Sequence, residues 1–577
     1  MPKRWQIHEP VPAAFIEALA GEPSVVAQLL YNRGIRNEAD IARFLHPELN
    51  PVDYDAFRFR FMEAAVDLII SHIKAGSKIV ICGDYDADGV TSSALLEHVL
   101  RTLKANVEVW IPSRFGQGYG LNQEIISELA TRGVKLIITV DNGIRAKAEV
   151  ASARALGIDV LVTDHHEGPS LVSDLPECII IDPILEEETY PFKYLCGAGV
   201  AFKVATALIS RSTLSEDDKA RLEEAVIDLA AIGTISDCVS LLGENRLLVK
   251  RGLKAVNEKP RLGVRELMEV AKIKDGEVSE WNISWQITPR LNVAGRLDHA
   301  NTAYRLLATN DRAEARAIAA ELNEKNIERQ KMTEDIVTAC AEIVEREQAD
   351  EKLLILVSPE LRGEAGSWSE GVIGLVAGRL CERFSRPCFV ITKSEGKVKG
   401  SGRSIEQFDI GSSLDIGKES LERYGGHKAA CGFTLKSEAH LAAFMEAMRT
   451  FAQEKLGSVD LSPVLHLDGE LPLLAITDSL IEELEKFVPY GQNNPEPKFA
   501  TFNAVIEDVM TMGQDKKHIK FRLGGMWALA FGRAEEYKAY RIGQRIDVAY
   551  TLCFNIFNGR RDAQLKIIDL RPSNPNE

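Results

Sequence analysis

An acidic cluster directly behind an apolar segment is the feature that most constrains the fold of this chain. Residues 83–89 read Gly-Asp-Tyr-Asp-Ala-Asp-Gly, and they follow the apolar run Lys78–Cys82, which predicts a β-strand. Three carboxylates within five residues repel one another, by roughly 1–4 kcal/mol for each pair about 4 Å apart, and a divalent cation would relieve that repulsion. A helix is predicted over Thr91–Leu100, so the cluster should lie at a strand-to-helix turn, where α/β folds place their sites.

Two other interpretations of the cluster stay open from its residues alone, a solvated acidic loop and a calcium loop. The EF-hand pattern requires a Glu several residues later and a helix before the loop. The sequence has neither here, which favours a metal site of another type.

The same arrangement, an apolar strand followed by polar metal-ligand residues, recurs three times downstream. The segments are Val134–Val140 before Asp141-Asn142-Gly143, Ile158–Thr163 before Asp164-His165-His166, and Cys178–Ile181 before Asp182-Pro183. Helical stretches such as Ile144–Leu156 alternate with these strands, which predicts a parallel, doubly wound sheet. Because the carboxyl ends of its strands open on one edge, six residues should converge: Asp86, Asp88, Asp141, Asp164, His165 and His166. A lone Asp at a strand end is more often a helix N-cap, but four such ends are hard to explain by capping.

The side-chain types in this set narrow the choice of metal. Carboxylates with one or two imidazoles and no thiolate disfavour structural zinc and favour Mn²⁺ or Mg²⁺, with the histidines tilting towards Mn²⁺. With Asp84 of the acidic cluster the carboxylates number five or more, which exceeds what one divalent ion would hold. Two ions about 3.5–4 Å apart, bridged by a shared carboxylate, are the arrangement of two-metal phosphoester hydrolysis.

Composition sets the wider frame. The chain has 577 residues, enough for three or four domains, with 45% hydrophobic and 27% charged residues, as in globular proteins. We expect a cytoplasmic protein, because Met1–Trp5 lead into polar sequence, no apolar run reaches ~18 residues, and the nine cysteines form no CxxC pair. A net charge of −16 argues against wrapping of duplex DNA by bulk attraction, although a local basic groove could still bind nucleic acid.

Two further features lie between the strands and residue 350. Gly197–Phe202 opens a helix whose small residues permit either close packing or the approach of a phosphate. Leu229–Val239 is an apolar element that contains Asp237, a further candidate ligand of the same metals. Asp311–Glu347 lacks Gly and Pro and has apolar residues at helical spacing, which predicts one long helix between two domains.

A second α/β unit is predicted from Lys352–Val357 onward. It contains a helix rich in small residues over Gly371–Leu380 and two glycine-rich segments, Lys399–Ser404 and Tyr424–Phe433. Glycine-rich segments beside Ser, Arg and His can offer backbone N–H groups and a guanidinium to a phosphate. Ordinary turn chemistry is the alternative for each segment taken alone.

The last part of the chain, from about Leu461, predicts short strands and turns. Ile546–Phe557 alternates with period two, and Asn558-Gly559 is a hairpin signal. In another predicted strand, His518–Leu523, basic residues alternate with apolar ones. This pattern suggests an OB-fold that binds single strands; an ordinary solvated sheet face explains it equally well.

These motifs occur together and in an order that resembles the RecJ family of single-strand-specific exonucleases, within the DHH phosphoesterase superfamily. The resemblance covers nearly the whole chain. The segments that carry it are residues 83–89, Val140–Gly143, Asp164–His166, Gly233–Asp237, Thr288–Leu297, Ser401–Ser404, Gly425–His427 and the C-terminal β-module. Asp164-His165-His166 is the motif that names the superfamily, and Thr288–Leu297 is close to a segment characteristic of RecJ proteins.

The resemblance implies a role for each matching residue. Five would be metal ligands, with the third as the bridge between two ions: Asp86, Asp88, Asp141, His165 and Asp237. Three would be catalytic, as further ligands, orienting groups or contacts of the scissile phosphate: Asp84, Asp164 and His166. Eight would bind the substrate strand and its 5′ end: Arg114, Arg290, Asn292, Arg296, Ser401, Arg403, Gly426 and His427.

The resemblance also implies the fold class and the domain boundaries. We expect an α/β protein with a DHH-type parallel doubly wound sheet, a long connecting helix, a second α/β domain of the DHHA1 type and a C-terminal β-barrel of the OB-fold. The expected boundaries are 1–55 for an N-terminal helical lead, 56–305 for the DHH catalytic domain, 306–348 for the connecting helix, 349–457 for the DHHA1 substrate-binding domain and 458–577 for the OB-fold nucleic-acid-binding domain.

The implied activity is that of a single-stranded-DNA-specific 5′→3′ exonuclease of DNA recombination and repair. It would hydrolyse phosphodiester bonds with two Mn²⁺ or Mg²⁺ ions and release 5′-mononucleotides. The implied partners are single-stranded DNA, a single-stranded-DNA-binding protein and a RecQ-like helicase, with no membrane.

Two positions depart from the family's pattern, and two other functions were weighed. Ser369 stands where relatives often have His, and Cys82 stands where distant pyrophosphatase relatives place a metal-binding His. A DHH phosphodiesterase of short oligonucleotides or cyclic dinucleotides would usually lack the Thr288–Leu297 segment and the C-terminal β-module. A catalytically inactive DNA-binding scaffold would typically have lost acidic ligands, and this chain retains every one.

Overall fold

A computed structural model of the protein describes residues 3–19, 21–46, 54–112, 120–297, 299–557 and 560–573. The chain divides into two compact units. The small unit is formed by residues within 293–299 and 320–463, and the large unit by residues within 3–292, 300–319 and 464–577. Within the described ranges, no helix combines the length and the apolar character that crossing a membrane requires.

The large unit begins with one strand and four helices. They are β1 (Arg4–Ile7), α1 (Ala13–Ala18), α2 (Ser24–Asn32), α3 (Glu38–Leu45) and α4 (Met62–Lys74). The sequence predicts only helices before residue 56, so β1 is a difference. A strand of four residues is too short for its periodicity to be recognised.

Five parallel strands and three helices form the next part of the large unit. In chain order they are β2 (Lys78–Gly83), α5 (Ala87–Thr102), β3 (Asn106–Trp110), α6 (Gln123–Thr131), β4 (Val134–Val140), α7 (Lys147–Ala155), β5 (Asp159–Thr163) and β6 (Ile179–Ile181). The strand order is β3-β2-β4-β5-β6, and every neighbouring pair is parallel. The predicted doubly wound parallel sheet is therefore confirmed.

The direction in which the sheet grows reverses at β2. The chain passes from β2 to β3 on one side and then returns to place β4 on the other side of β2. Such a reversal is a topological switch point, and ligands of open α/β sheets bind in the crevice outside the carboxyl ends of the strands there. In this chain that crevice lies beyond the ends of β2 and β4, where the acidic cluster and Asp141 follow.

A series of helices leads from the sheet to the small unit. They are α8 (Gly197–Arg211), α9 (Glu216–Glu224), α10 (Ile227–Ser236), α11 (Gly243–Glu258), α12 (Leu262–Ala271), α13 (Glu280–Asn282), α14 (Thr288–Leu297), α15 (Asn301–Ala308) and α16 (Arg312–Glu347). A π-helical turn, Ile283–Ile287, lies between α13 and α14. The chain passes from one unit to the other within α14 and again within α16.

The small unit has a mixed five-stranded sheet. Its elements are β7 (Leu354–Val357), α17 (Glu370–Phe384), β8 (Cys388–Ser394), β9 (Lys397–Arg403), α18 (Ile410–Ser413), β10 (Leu421–His427), β11 (Ala430–Leu435) and α19 (Leu441–Leu456). The strand order is β10-β11-β9-β8-β7; β7 and β8 are parallel and the other pairs antiparallel. The glycine-rich segments therefore lie largely in strands.

The C-terminal part of the large unit is a closed barrel. Its elements are β12 (Val464–Leu467), β13 (Gly469–Glu470), α20 (Asp478–Glu485), β14 (Phe499–Met512), β15 (His518–Leu523), β16 (Met526–Ala530), α21 (Ala534–Tyr537), β17 (Arg545–Phe557) and β18 (Arg560–Pro572). The order β14-β15-β16-β18-β17 is closed by pairing of β17 with β14. Five strands closed in this way are the OB-fold arrangement, so the predicted barrel is confirmed. The predicted turn Asn558-Gly559 lies outside the described residues.

The N-terminal segment packs on this barrel. β1 pairs with β12 in parallel, and the Trp5 indole N–H donates a hydrogen bond to Asp569 Oδ2 at 2.8 Å. Leu29 of α2 shares a hydrophobic core with Phe487 and Phe521 of the barrel part. The two ends of the chain therefore fold together, although the sequence gives no sign of this pairing.

Candidate active site

The start of α5 positions the acidic cluster. Asp86 is the N-cap residue, and its Oδ1 accepts hydrogen bonds from the backbone N–H of Asp88 at 2.9 Å and of Gly89 at 3.1 Å. The helix begins at Ala87 rather than at the predicted Thr91, because the Asp86 side chain satisfies its first amides. Asp88 therefore lies inside the first helical turn, where it is buried.

The first turn of α8 holds the Asp88 carboxylate. The Gly197 N–H donates to Asp88 Oδ2 at 2.7 Å, and the Ala198 N–H donates to Oδ1 at 2.8 Å. A helix N-terminus favours a negative charge. A Cβ on Gly197 would lie 2.5 Å from the Cβ of Asp141, so this glycine serves close packing, one of the two possibilities left open by the sequence.

His165 brings together carboxylates from three parts of the large unit. Its Nε2 lies 3.0 Å from Asp141 Oδ1. The same nitrogen lies 3.8 Å from Asp88 Oδ2 and 3.7 Å from Asp237 Oδ2. Asp141 has a left-handed backbone with φ of 64°, which is uncommon for a residue with a side chain and clusters at functional sites.

Among the described residues, three overlapping groups have ligand atoms that all lie within 4.8 Å of one another. The groups are Asp84 with Asp86 and Asp141, Asp88 with His165 and Asp237, and Asp141 with His165 and His166. Their donor atoms are carboxylate oxygens and imidazole nitrogens, the set that suits Mn²⁺ and Mg²⁺. The residues present thus fit the divalent ions expected from the sequence. We call these seven residues the metal cluster.

Burial and mutual repulsion raise the pKa values of the clustered carboxyl groups. Burial raises the pKa of Asp88, and the charge of Asp86 adds to this shift. Burial and the charges of the neighbouring aspartates, Asp88 first, raise the pKa of Asp141 well above its ordinary value. The same causes raise the pKa of Asp237 to about 9. Cations bound here would reverse this cost by favouring the ionised carboxylates.

His166 differs from His165 in the direction of its pKa shift. Burial lowers the pKa of His166, but the hydrogen bond and the charge of Asp164 outweigh it and raise the pKa to about 9. His166 Nδ1 lies 2.7 Å from Asp164 Oδ1. The other oxygen of this carboxylate, Asp164 Oδ2, accepts a hydrogen bond from the Ile144 N–H at 2.9 Å. Burial lowers the pKa of His165. Of the two histidines, His166 therefore has the higher pKa in the metal-free protein.

Asn292 of α14 contacts the start of α5, next to the metal cluster. Its Oδ1 accepts a hydrogen bond of 2.7 Å from the Ala87 N–H, which lies between two of the clustered aspartates. Arg290, two residues earlier, donates from Nη1 to the Gln286 carbonyl at 2.7 Å. Arg296 lies in the small unit, where its Nη1 donates to the Gly371 carbonyl at 3.3 Å.

The small unit brings Ser401 and Arg403 together on β9. Arg403 Nη1 donates to the Ser401 hydroxyl at 3.2 Å and to the Gly402 carbonyl at 2.8 Å. Gly374 of α17 makes room for both side chains, because a Cβ there would lie 3.1 Å from Ser401 Oγ and 3.2 Å from Arg403 Nη2. The sequence predicts that this glycine lies in a helix rich in small residues, but it does not show which side chains the glycine contacts.

Gly426 and His427 lie on β10, at the exposed edge of the same sheet. They pair with Cys431 and Ala430 of β11. A Cβ on Gly426 would lie 2.4 Å from the Ala430 carbonyl oxygen, so this strand approaches its neighbour too closely for a side chain.

The remaining expected positions have structural surroundings of their own. Ser369 caps α17 by accepting from the Gly371 N–H at 3.3 Å. Cys82 is buried in β2, which raises the pKa of its thiol to about 12. Arg114 lies outside the described residues.

Two polar residues near the metal cluster, which the sequence places at strand ends, have no role among the predicted site residues. Asn142 is buried, and its Nδ2 donates to the carbonyls of Cys82 at 3.1 Å and Val140 at 2.9 Å, so it links the ends of β2 and β4. Its place after a strand, before glycine, was the available signal. Asp182, at the end of β6, is in none of the three groups; its Oδ1 accepts from the Ile184 N–H at 3.0 Å.

Family models match three parts of the chain. The model of the DHH family, N-terminal domain, matches residues 78–234. The DHHA1 domain matches residues 352–454, and the RecJ OB domain matches residues 467–569.

Similar proteins cover nearly the whole chain. The single-stranded-DNA-specific exonuclease RecJ of Bacillus subtilis (strain 168) is 38% identical over 98% of this chain and 70% of its own length. The crystal structure of RecJ in complex with Mn²⁺ from Thermus thermophilus matches with a TM-score of 0.82 and 31% identity, over 99% of this chain and 80% of that chain. The Mg²⁺ complex of RecJ from the same organism matches with a TM-score of 0.74 and 29% identity, over 99% and 79%.

Proposed function

Because the chain belongs to the RecJ family of single-stranded-DNA-specific exonucleases, it is a metal-dependent nuclease that hydrolyses phosphodiester bonds in single-stranded DNA, and we propose that it releases 5′-mononucleotides in the 5′→3′ direction. Its ions are Mn²⁺ or Mg²⁺. A small-substrate phosphodiesterase is not favoured, since the relatives match over nearly the full length.

The observation that carries the proposal is the overlap of the metal groups at the switch point of the sheet. Asp86, Asp88, Asp141, His165 and Asp237 are the proposed ligands of two ions. Asp141 belongs to two of the groups, which supports its role as the bridge. When bound, two such ions supply positive charge to the phosphate and lower the pKa of the attacking water.

Asp84, Asp164 and His166 are the proposed catalytic residues beside these ligands. Asp84 lies in one group with Asp86 and Asp141, and it adds negative charge that favours ion binding. Asp164 keeps His166 protonated through their 2.7 Å hydrogen bond. The charged His166 can then donate a hydrogen bond to a phosphate oxygen of the strand.

Substrate contacts are proposed for the residues that the resemblance implies. Arg114, Arg290, Arg296, Arg403 and His427 offer cationic or hydrogen-bonding side chains, and Ser401 and Gly426 offer a hydroxyl and a backbone group. Asn292 belongs to this set by resemblance, but its hydrogen bond to Ala87 supports a positioning role at the start of α5.

The domain boundaries proposed are 1–55, 56–305, 306–348, 349–457 and 458–577, and the extents of the family matches support them. Proposed partners are a single-stranded-DNA-binding protein and a RecQ-like helicase, because an enzyme of single strands depends on proteins that expose and cover them. The proposed setting is DNA recombination and repair in the cytoplasm.

The test is digestion of a long single strand, labelled at either end, beside its duplex, with Mn²⁺ or Mg²⁺. Release of mononucleotides from the 5′ end of the single strand alone is the expected result. Release from the 3′ end would overturn the polarity. Cleavage of di- or trinucleotides without digestion of the long strand would transfer the assignment to a small-substrate phosphodiesterase.

A further inference from the structure

Two exposed tryptophans lie on the helical segment that leads into α14. Trp281 is 57% exposed and Trp285 is 67% exposed. The other four tryptophans, Trp5, Trp110, Trp368 and Trp527, are buried or half-buried. Large aromatic side chains gain much from burial, and neighbouring exposed ones mark a surface that binds something.

The segment that carries the two indoles is held firmly on its other side. Ile283, Ile287 and Leu291 recur every four residues and are fully buried. Ser279 and Asn282 form a capping box at its start. The tryptophans are thus displayed by an anchored helix, and their exposure is a property of the fold.

The same segment is hydrogen-bonded at two points to residues that are adjacent in sequence to members of the metal cluster. Thr288 Oγ1 lies 2.6 Å from Ser236 Oγ, directly before Asp237, and Asn292 Oδ1 accepts from the Ala87 N–H at 2.7 Å. With a rise of about 1.5 Å per residue, Trp285 lies roughly 5 Å along the axis from Thr288 and roughly 10 Å from Asn292.

The sequence spacing places the tryptophans near the cluster side of the helix. Positions 281, 285, 288 and 292 follow the i, i+4, i+7, i+11 spacing that runs along one side. The π-helical turn Ile283–Ile287 rotates the following side chains around the helix axis by only part of a turn. Such turns occur frequently at functional sites.

We propose that Trp281 and Trp285 form a base-stacking platform for the single-stranded substrate within a few nucleotides of the metal cluster. The inference rests on the proposed function for the identity of its ligand. Indoles suit this task because every base has a π-face, so stacking does not depend on sequence. Cβ atoms four residues apart on a helix are about 5–6 Å apart, which lets neighbouring nucleotides reach both rings.

A cation on the same helical segment matches this ligand. Arg290 follows Trp285 by five residues, and its guanidinium can meet phosphates while the bases stack. Aromatic side chains on which bases stack, together with cations that meet the phosphates, are the usual composition of a single-strand-binding surface. This composition favours a nucleic acid over a protein as the ligand.

The test is equilibrium binding of the full-length protein, with metal chelated, to a fluorescent oligothymidylate and to an abasic strand of equal length. The variants are Trp281→Ala with Trp285→Ala, the matching Phe pair, and Leu156→Ala as the control at a 50% exposed apolar residue at the C-terminal end of α7. We expect the Ala pair to weaken thymidylate binding roughly tenfold or more, and to leave abasic binding unchanged. The Phe pair should bind nearly as the parent does, because phenylalanine also stacks.

Two results would overturn the platform. One is thymidylate binding by the Ala pair equal to that of the parent protein. The other is an equal loss on both strands, because this would mean that the indoles support the fold or contact the backbone. Neither result depends on cleavage. If the parent protein fails to digest single strands, the proposed function is wrong. If the parent protein digests them but the Ala pair binds thymidylate as tightly as the parent, only the stacking platform is wrong.

Discussion

The two sheets that carry the candidate residues hold them in opposite ways. In the large unit, Asp88 and Asp141 are buried and crowded by like charge. In the small unit, β10 exposes Gly426 and His427, and Arg403 already donates hydrogen bonds within its own strand. The buried carboxylates of the large unit cost free energy until cations bind. The residues of the small unit carry no such cost, because they are exposed or already hydrogen-bonded within the sheet.

This difference assigns the chemical step to the metal cluster of the large unit and substrate binding to the sheet of the small unit. A change in the metal cluster should remove the chemical step, because the ions act through those carboxylates. A change on the sheet of the small unit should weaken substrate binding and leave the chemical step nearly intact.

Asp141→Asn should give the largest effect. An amide of equal size cannot bridge two cations, so we expect kcat to fall on the order of 10³-fold while single-stranded DNA still binds. Release of labelled mononucleotide measures kcat, and fluorescence anisotropy measures Kd. Loss of binding with the rate per bound complex preserved would show that Asp141 acts on substrate binding.

Asp182→Asn is the matched control at the same edge of the sheet. Burial raises the pKa of Asp182 to about 8, so its carboxyl group is mostly neutral near pH 7 and an amide imitates it. Asp182 belongs to none of the three metal groups. We expect nearly unchanged kcat, and a loss comparable to that of Asp141→Asn would show that position rather than metal binding is decisive.

Arg403→Ala should give an intermediate effect, confined to binding. Hydrogen bonds to a charged group contribute about 1.5–3 kcal/mol, so we expect KM to rise about tenfold or more with kcat nearly unchanged. Lys397→Ala is the control, because Lys397 lies on the same strand and pairs with Glu422. Steady-state kinetics on a long single strand measure both; a fall in kcat at constant KM would break the contrast.

The pH dependence of stability should show the smallest effect. The folded pKa of Asp237 is about 9, above the value of about 3.9 for an unfolded chain. A carboxyl group with a raised folded pKa favours folding in its protonated form, so its contribution is present below the unfolded pKa and lost as pH rises through the folded pKa. The melting temperature of metal-free protein should therefore fall between about pH 5 and pH 9.

Mn²⁺ should oppose this loss, because it stabilises the ionised carboxylates. Asp237→Asn should flatten the metal-free profile, since the amide does not titrate. Differential scanning fluorimetry measures both profiles. A flat profile for the parent protein without metal would contradict the raised pKa of Asp237.

Local patterns in the sequence were enough to identify the strands and their polar ends. Val134–Val140 is apolar throughout most of its length, so it could be assigned to a buried strand, and the residues after it were assigned to the open edge of a parallel sheet. The long helix Arg312–Glu347 was equally visible, because periodicity without Gly or Pro is a local property. The family resemblance rests on the same short segments.

Other features depend on contacts between distant segments, which no local pattern contains. The amides of Gly197 and Ala198 on Asp88, the pairing of β1 with β12, and the exposure of Trp281 and Trp285 belong to this class. An exposed tryptophan and a buried one look alike in a sequence, because burial is decided by what packs against them.

The sequence alone determined the donor chemistry of the metal cluster and the order of its motifs, because both follow from residue type and spacing along the chain. The tertiary structure decided which donors share an ion-sized space, and it did so through the reversal of the sheet at β2 and the α8 amides that hold Asp88. The physical reason is that charge repulsion and burial act over distances in space, so the raised pKa values of Asp141 and Asp237 arise only once the fold has brought these carboxylates together.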